Sequence, residues 1–141
     1  MKRKFTIMVD IDTDREGPSE VVAIDEKGQE GVHREKDHVA NEYLVRISDD
    51  SVLVRDKAHV LAHELGHIVA WVFDLPGTKR MRVARQADFY LTRYAEEQEA
   101  WDMAERMFRF VADKRAALHT YEQRIPDYHL RTPSFKLLGD K

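Results

Sequence analysis

The sequence predicts an α+β fold: a small antiparallel or mixed sheet first, then an amphipathic helix, then a long second helix. Three observations carry this. Apolar and polar residues alternate in short runs through the first 50 residues. From about Asp56 the apolar residues recur at helical spacing instead. The two patterns do not interleave, so strands precede helices rather than alternating with them.

The elements follow in order. Phe5, Ile7, Val9 and Ile11 alternate with Lys4, Thr6, Met8 and Asp10, the pattern of a half-buried strand. Val21 to Asp25 reads as a second strand ending in a turn around Lys27-Gly28. Tyr43, Val45 and Ile47 alternate with Leu44, Arg46 and Ser48 in a third. The polar stretch from Gly31 to Asn41 carries no pattern that assigns it. Val60, Leu61, Leu65, Ile68, Val69 and Val72 mark the first helix, from about Asp56 to Phe73, and Pro76-Gly77 stops it. A second helix begins after Lys79 and runs to about Ala117, with or without a break. The tail from Ile125 holds Pro126, Pro133 and Gly139 and is expected to wrap the surface or fray.

A length of 141 residues suits one domain with one core. The balance of 23 basic against 26 acidic side chains makes no case for nucleic acid as a partner. There are no cysteines, so disulfides, thiolate metal sites and cysteine nucleophiles are excluded. No run approaches the ~18 apolar residues that a spanning helix needs. The start, Met-Lys-Arg-Lys, leads into an apolar stretch too short and too acidic for a signal peptide. A cytoplasmic protein with no membrane partner is therefore expected.

His63-Glu64-Leu65-Gly66-His67 lies inside the first helix. Residues four apart share one helix face, one turn above the other. Two imidazoles so placed can share one zinc ion at ~2.0–2.1 Å each. Glu64 projects beside the metal and can take a proton from the water that the metal activates. Gly66 costs the helix roughly 1 kcal/mol against alanine. That cost is expected where a side chain would obstruct something, such as the floor of a cleft. The strand just before this helix is a candidate edge against which a peptide could pair.

Catalytic zinc takes three protein ligands plus water, so a third ligand is sought downstream, in Tyr94-Ala-Glu-Glu-Gln-Glu-Ala-Trp101. Tyr94, Trp101, Ala104, Phe108 and Val111 form an apolar stripe, and position 97 falls inside it. Glu99 joins Asp102, Arg106, Arg109 and Asp113 on a polar face, and Glu96 lies on the flank. A carboxylate within a core-facing stripe needs a partner. Glu97 is the first candidate and Glu96 the second.

A helix bearing His-Glu-Leu-Gly-His, followed some 30 residues on by Glu-Gln-Glu-Ala-Trp-Asp-Met-Ala, resembles the gluzincin metallopeptidases. The closest flavour is the small ImmA/IrrE-like and phage-encoded members. The resemblance covers about Tyr43 to Val111 and implies a zincin-like fold. It implies Glu97 as the third ligand, Zn2+ as cofactor, and a protein or peptide as substrate. Trp101 departs from the pattern, standing where many relatives carry Asn or Asp. No further histidine follows soon after His67, which argues against families whose third ligand is His.

Other residues are candidates for substrate or transition-state contacts. His59 is one turn before His63, and the Tyr90 and Tyr94 phenols could each donate a hydrogen bond. For His59 a polar residue at the helix start is the plainer role, and for Tyr94 core packing is. Asp10, Asp12 and Asp14 alternate as in a calcium loop, but Arg15 and Val21 stand where Gly and Glu are required. Lys79, Arg80, Arg82 and Arg85 form a basic cluster, expected to be a solvated face. The leading expectation is zinc-dependent peptide hydrolysis with Glu64 as general base. The alternatives are a non-catalytic zinc-binding regulatory or phage accessory module, and a helical interaction module with no metal.

Overall fold

The computed structural model describes residues 4–12, 17–30, 38–48 and 56–126. Within them lie three strands, β1 (Thr6–Asp12), β2 (Glu20–Ile24) and β3 (Glu42–Ser48), followed by helices α1 (Lys57–Val72), α2 (Pro76–Arg82), α3 (Phe89–Phe108) and α4 (Arg115–Glu122). The fold is α+β, as the switch in periodicity predicts. Asp14, most of the 31–41 stretch and the tail beyond Pro126 lie outside the described residues.

The sheet is mixed, with order β1-β3-β2. β1 runs parallel to β3, in register Ile7↔Tyr43 and Val9↔Val45, and β2 runs antiparallel to it. β3 is therefore hydrogen-bonded on both sides and is not the edge strand that its place before α1 led us to expect. Alternation works as predicted on β3: Tyr43, Val45 and Ile47 are buried against Ile68, Trp71 and Val72 of α1. It works only in part on β1. Phe5 and Ile7 pack on the core, whereas Val9 and Ile11 are exposed. The reason is placement, because α1 packs across β3 and β2. The turn after β2 is closed by Asp25, whose carboxylate accepts from the backbone N–H groups of Lys27 and Gln29 at 2.9 and 2.8 Å. Gly28 sits there at φ 77°, a left-handed conformation that favours glycine.

Asp56 caps α1 by accepting from Ala58 N at 2.9 Å. Pro76 does more than stop α1. The chain turns through Asp74, at φ 50°, and Pro76 then opens α2 at its first turn. The helix expected from after Lys79 to about Ala117, with or without a break, is broken: position 79 lies in α2, α3 starts at Phe89, and α4 covers the end. α3 ends at Arg109, which is left-handed at φ 55°. Glu105 then draws the chain back, accepting from Ala112 N at 2.8 Å and pairing with Lys114. This break leaves Phe108 and Val111 exposed, since the stripe they were assigned to stops short of them.

α1 and α3 form the main helix pair, and Gly66 sits at their crossing. A Cβ on Gly66 would stand 2.2 Å from the carbonyl oxygen of Ala100. The glycine thus admits the α3 backbone and does not form a cleft floor.

Glu99 is buried too, not on the polar face that the helix phase assigned it. Its carboxylate caps α2 from a neighbouring helix. It accepts from Gly77 N at 2.7 Å, Thr78 N at 2.9 Å and Thr78 Oγ1 at 3.1 Å. Replacing it strands buried donors, each costing ~1–3 kcal/mol. Glu99→Ala is therefore expected to lower unfolding stability by about 3 kcal/mol. Urea titration of the two proteins measures this; a loss below about 1 kcal/mol would mean that water replaces the carboxylate there. No helix among the described residues is long and apolar enough to cross a membrane.

Candidate metal centre

α1 delivers His63 and His67 to one face, one turn apart, and α3 delivers Glu97 opposite them. His63 Nε2 lies 3.4 Å from Glu97 Oε1, and His67 Nε2 lies 2.8 Å from Glu97 Oε2. One ligand atom from each of the three residues falls within 4.8 Å of the others. Ligands ~2.0–2.1 Å from a tetrahedral ion stand about 3.4 Å from one another, so the His63–Glu97 span already fits one. The set is secluded: relative exposure is 8% for His63, 4% for His67 and 2% for Glu97.

Such seclusion requires partners for polar atoms. His63 Nε2, His67 Nδ1 and Glu97 Oε2 are buried without an aligned hydrogen bond. Two of these three atoms, His63 Nε2 and Glu97 Oε2, point into the space between the helices where the ligands converge. Lone pairs left unsatisfied in this way are what a cation would use. His63, His67 and Glu97 form a buried group that could hold a metal ion.

The charges agree. Glu64 is 5% exposed, Glu96 0% and Glu97 2%. Arg93 answers two of them, pairing with Glu96 and standing 3.7 Å from Glu97 Oε2. Three buried carboxylates near one guanidinium leave a negative charge that a cation could offset. Without it, a proton on His63 supplies part of the charge. Burial pulls the His63 imidazolium down, but Glu64 and Glu97 together outweigh it and raise its pKa to about 9. Burial likewise pushes Glu97 up, yet His67, His63 and Arg93 hold it well below the usual carboxylate range.

Glu97 and Glu96 differ in direction. Glu97 faces the histidines, whereas Glu96 turns to Arg93. Glu64 lies on the far side of the His63 ring, with Oε1 3.5 Å from Nδ1. Trp101 stacks on His63 at 4.2 Å between centroids and 17° between planes. It thus fixes the imidazole plane by packing, where a polar residue would do so by hydrogen bonding.

His59, Tyr90 and Tyr94 are placed elsewhere. His59 stands 3.5 Å from Asp56 and stacks on Phe110, as a residue at a helix start. Tyr90 is exposed and meets Phe89 edge-on. Tyr94 is part-buried, its ionisation pushed up by burial and by Glu122. The tyrosine that does come near is Tyr121 on α4: its ring lies under Arg93, 5.5 Å from Cζ to centroid, and burial and then the Glu97 charge push its phenol up. No local spacing announces it, because Tyr121 lies beyond the α3–α4 break and past the expected helix end. In the basic cluster, Arg82 pairs with Asp74 and Arg85 with Asp88, while Lys79 and Arg80 face solvent. No protein-family model, curated protein or solved structure matches the chain.

Proposed function

We propose that the chain is a zinc-dependent peptidase of the gluzincin type, close in kind to the ImmA/IrrE-like enzymes, acting on a protein or peptide. The observation that carries this is the buried convergence of His63, His67 and Glu97, in which His63 Nε2 and Glu97 Oε2 lack an aligned hydrogen bond, with Glu64 against the His63 ring. The donor set, two imidazoles and one carboxylate, matches catalytic zinc sites that keep a fourth position for water or substrate. A zinc ion held there supplies Lewis-acid polarisation of a scissile carbonyl and a lowered pKa for water. The chain's own residues do the rest. Glu64 accepts the proton from the attacking water and delivers it to the leaving amine. Trp101 and the packed α1–α3 pair keep the histidines from turning.

A second reading has one observation in its favour. Glu64 approaches Nδ1 of His63, the nitrogen opposite the one facing Glu97. A carboxylate there orients the imidazole and frees Nε2 for the metal. On that reading Glu64 is a structural partner in a non-catalytic zinc module. Glu64→Gln separates the two. If Glu64 is the base, the variant keeps about one equivalent of zinc, and hydrolysis of a labelled unfolded protein falls by roughly 10²–10⁴. If Glu64 only orients His63, zinc affinity drops by about 10–100-fold and the wild type shows no hydrolysis. Full activity in a clean preparation of Glu64→Gln sinks the catalytic assignment.

A further inference from the structure

We propose that β1 is a self-pairing edge: it meets β1 of a second copy of this chain, antiparallel and centred on Met8, and joins the two sheets into one. The inference is independent of the metal reading. β1 lies at one edge of the sheet and pairs with β3 alone among the described strands. It also protrudes, because α1 packs across β3 and β2. Met8 is 51% exposed, Val9 46% and Ile11 66%. Thr6 N donates to Asn41 O at 2.8 Å, on the β3 side. Backbone groups alternate in direction along a paired strand, so Ile7, Val9 and Ile11 turn their N–H and C=O groups to the open edge. Such a row is a template for another strand.

Charge selects the partner and the register. The segment 4–12 is basic at its start and acidic at its end, so it complements itself when reversed. A parallel copy in register would set Asp10 against Asp10 and Asp12 against Asp12, and like charges directly opposite destabilise a sheet. An antiparallel copy centred on Asp10 repeats the first clash. Centred on Met8, Lys4 of each copy stands opposite Asp12 of the other, and Thr6 opposite Asp10. Phe5 then meets Ile11, and Ile7 meets Val9, across the junction. Phe5 and Ile7 already pack on the core. Each copy thus lays its two uncovered apolar side chains beside the covered pair of the other. In this register the backbone groups at the open edges also face one another.

A single strand pair makes a small interface, so sedimentation velocity of the wild-type chain over roughly 10–500 μM is expected to show a concentration-dependent dimer. Lys4→Glu sets two acids opposite each other at both ends of the junction and should raise the dissociation constant about tenfold. The chain has no cysteine, so a single introduced one reports the register. Opposed residues that exchange no hydrogen bonds have Cα atoms ~4.5 Å apart, within disulfide reach. Met8→Cys should therefore crosslink two copies on mild oxidation. Asp10→Cys, on the same face, should do so at least about tenfold more slowly, since its counterpart lies about 13 Å further along the strand. Circular dichroism checks that each variant folds. A chain that stays monomeric throughout the range, whatever other strand its edge accepts, overturns the proposal. Equal crosslinking at the two positions, or a dimer indifferent to Lys4→Glu, overturns it as well.

Discussion

Gly66→Ala is expected to unfold the protein at temperatures where the wild type is stable. The added Cβ would meet the Ala100 carbonyl oxygen at 2.2 Å, and its next contacts are also backbone, Ala100 C at 3.1 Å and Ala104 N at 3.3 Å. No flexible side chain can yield there, so α1 and α3 must separate. Overpacking of this kind costs about 3 kcal/mol or more. The expected fall in melting temperature is roughly 10 °C, read by circular dichroism on metal-free protein. The sign is diagnostic. In an isolated helix the same change stabilises by about 1 kcal/mol. A variant that melts at or above the wild-type temperature would show that the helices do not meet at this glycine.

The second large effect is on metal uptake. Zinc at a thousandfold excess over its dissociation constant is expected to stabilise the folded chain by about 4 kcal/mol. Glu97→Ala removes the ligand proposed for α3, and bound zinc should fall from about one equivalent to a small fraction of it. The pH dependence follows from His63. Its pKa is raised from 6.5 to about 9 in the metal-free fold. The stabilisation from its carboxylate partners is therefore complete below the unfolded value and is lost as pH rises through about 9. Zinc needs the unprotonated imidazole, so its affinity moves the opposite way, climbing between pH 7 and about 9. Calorimetry in buffers of different ionisation enthalpy counts the proton released. Zinc binding with no pH dependence across that range would place the metal away from His63.

Much of the candidate centre is readable before folding because its parts obey short-range rules. The i, i+4 spacing of His63 and His67 determines a shared helix face, whatever packs against it. The burial of Glu97 follows from its phase on its own helix. The same reasoning fails for Glu99. A periodic pattern says only that a position is polar, and Glu99 is buried because α2, beginning at Pro76, aims two backbone N–H groups at it. Tyr121 is missed for a related reason, since its place under Arg93 depends on the left-handed turn at Arg109. The strands show the division again. Alternation correctly identifies Tyr43, Val45 and Ile47 as a buried face, but strand order is a long-range property, and it places β3 at the centre of the sheet.

The contact at Gly66 also bears on which ions are admitted. His67 follows Gly66 directly, and Ala100 lies one turn from Glu97. With backbone against backbone between them, the two walls that carry the ligands work as a jaw of fixed gape. Calcium requires about six to eight oxygen donors at roughly 2.3–2.6 Å, and magnesium retains several waters around a near-octahedral shell. If the group holds an ion as proposed, two nitrogens and one carboxylate would offer too few oxygens for either. On that proposal, the choice among cations would be set by the helix crossing itself as well as by the ligands.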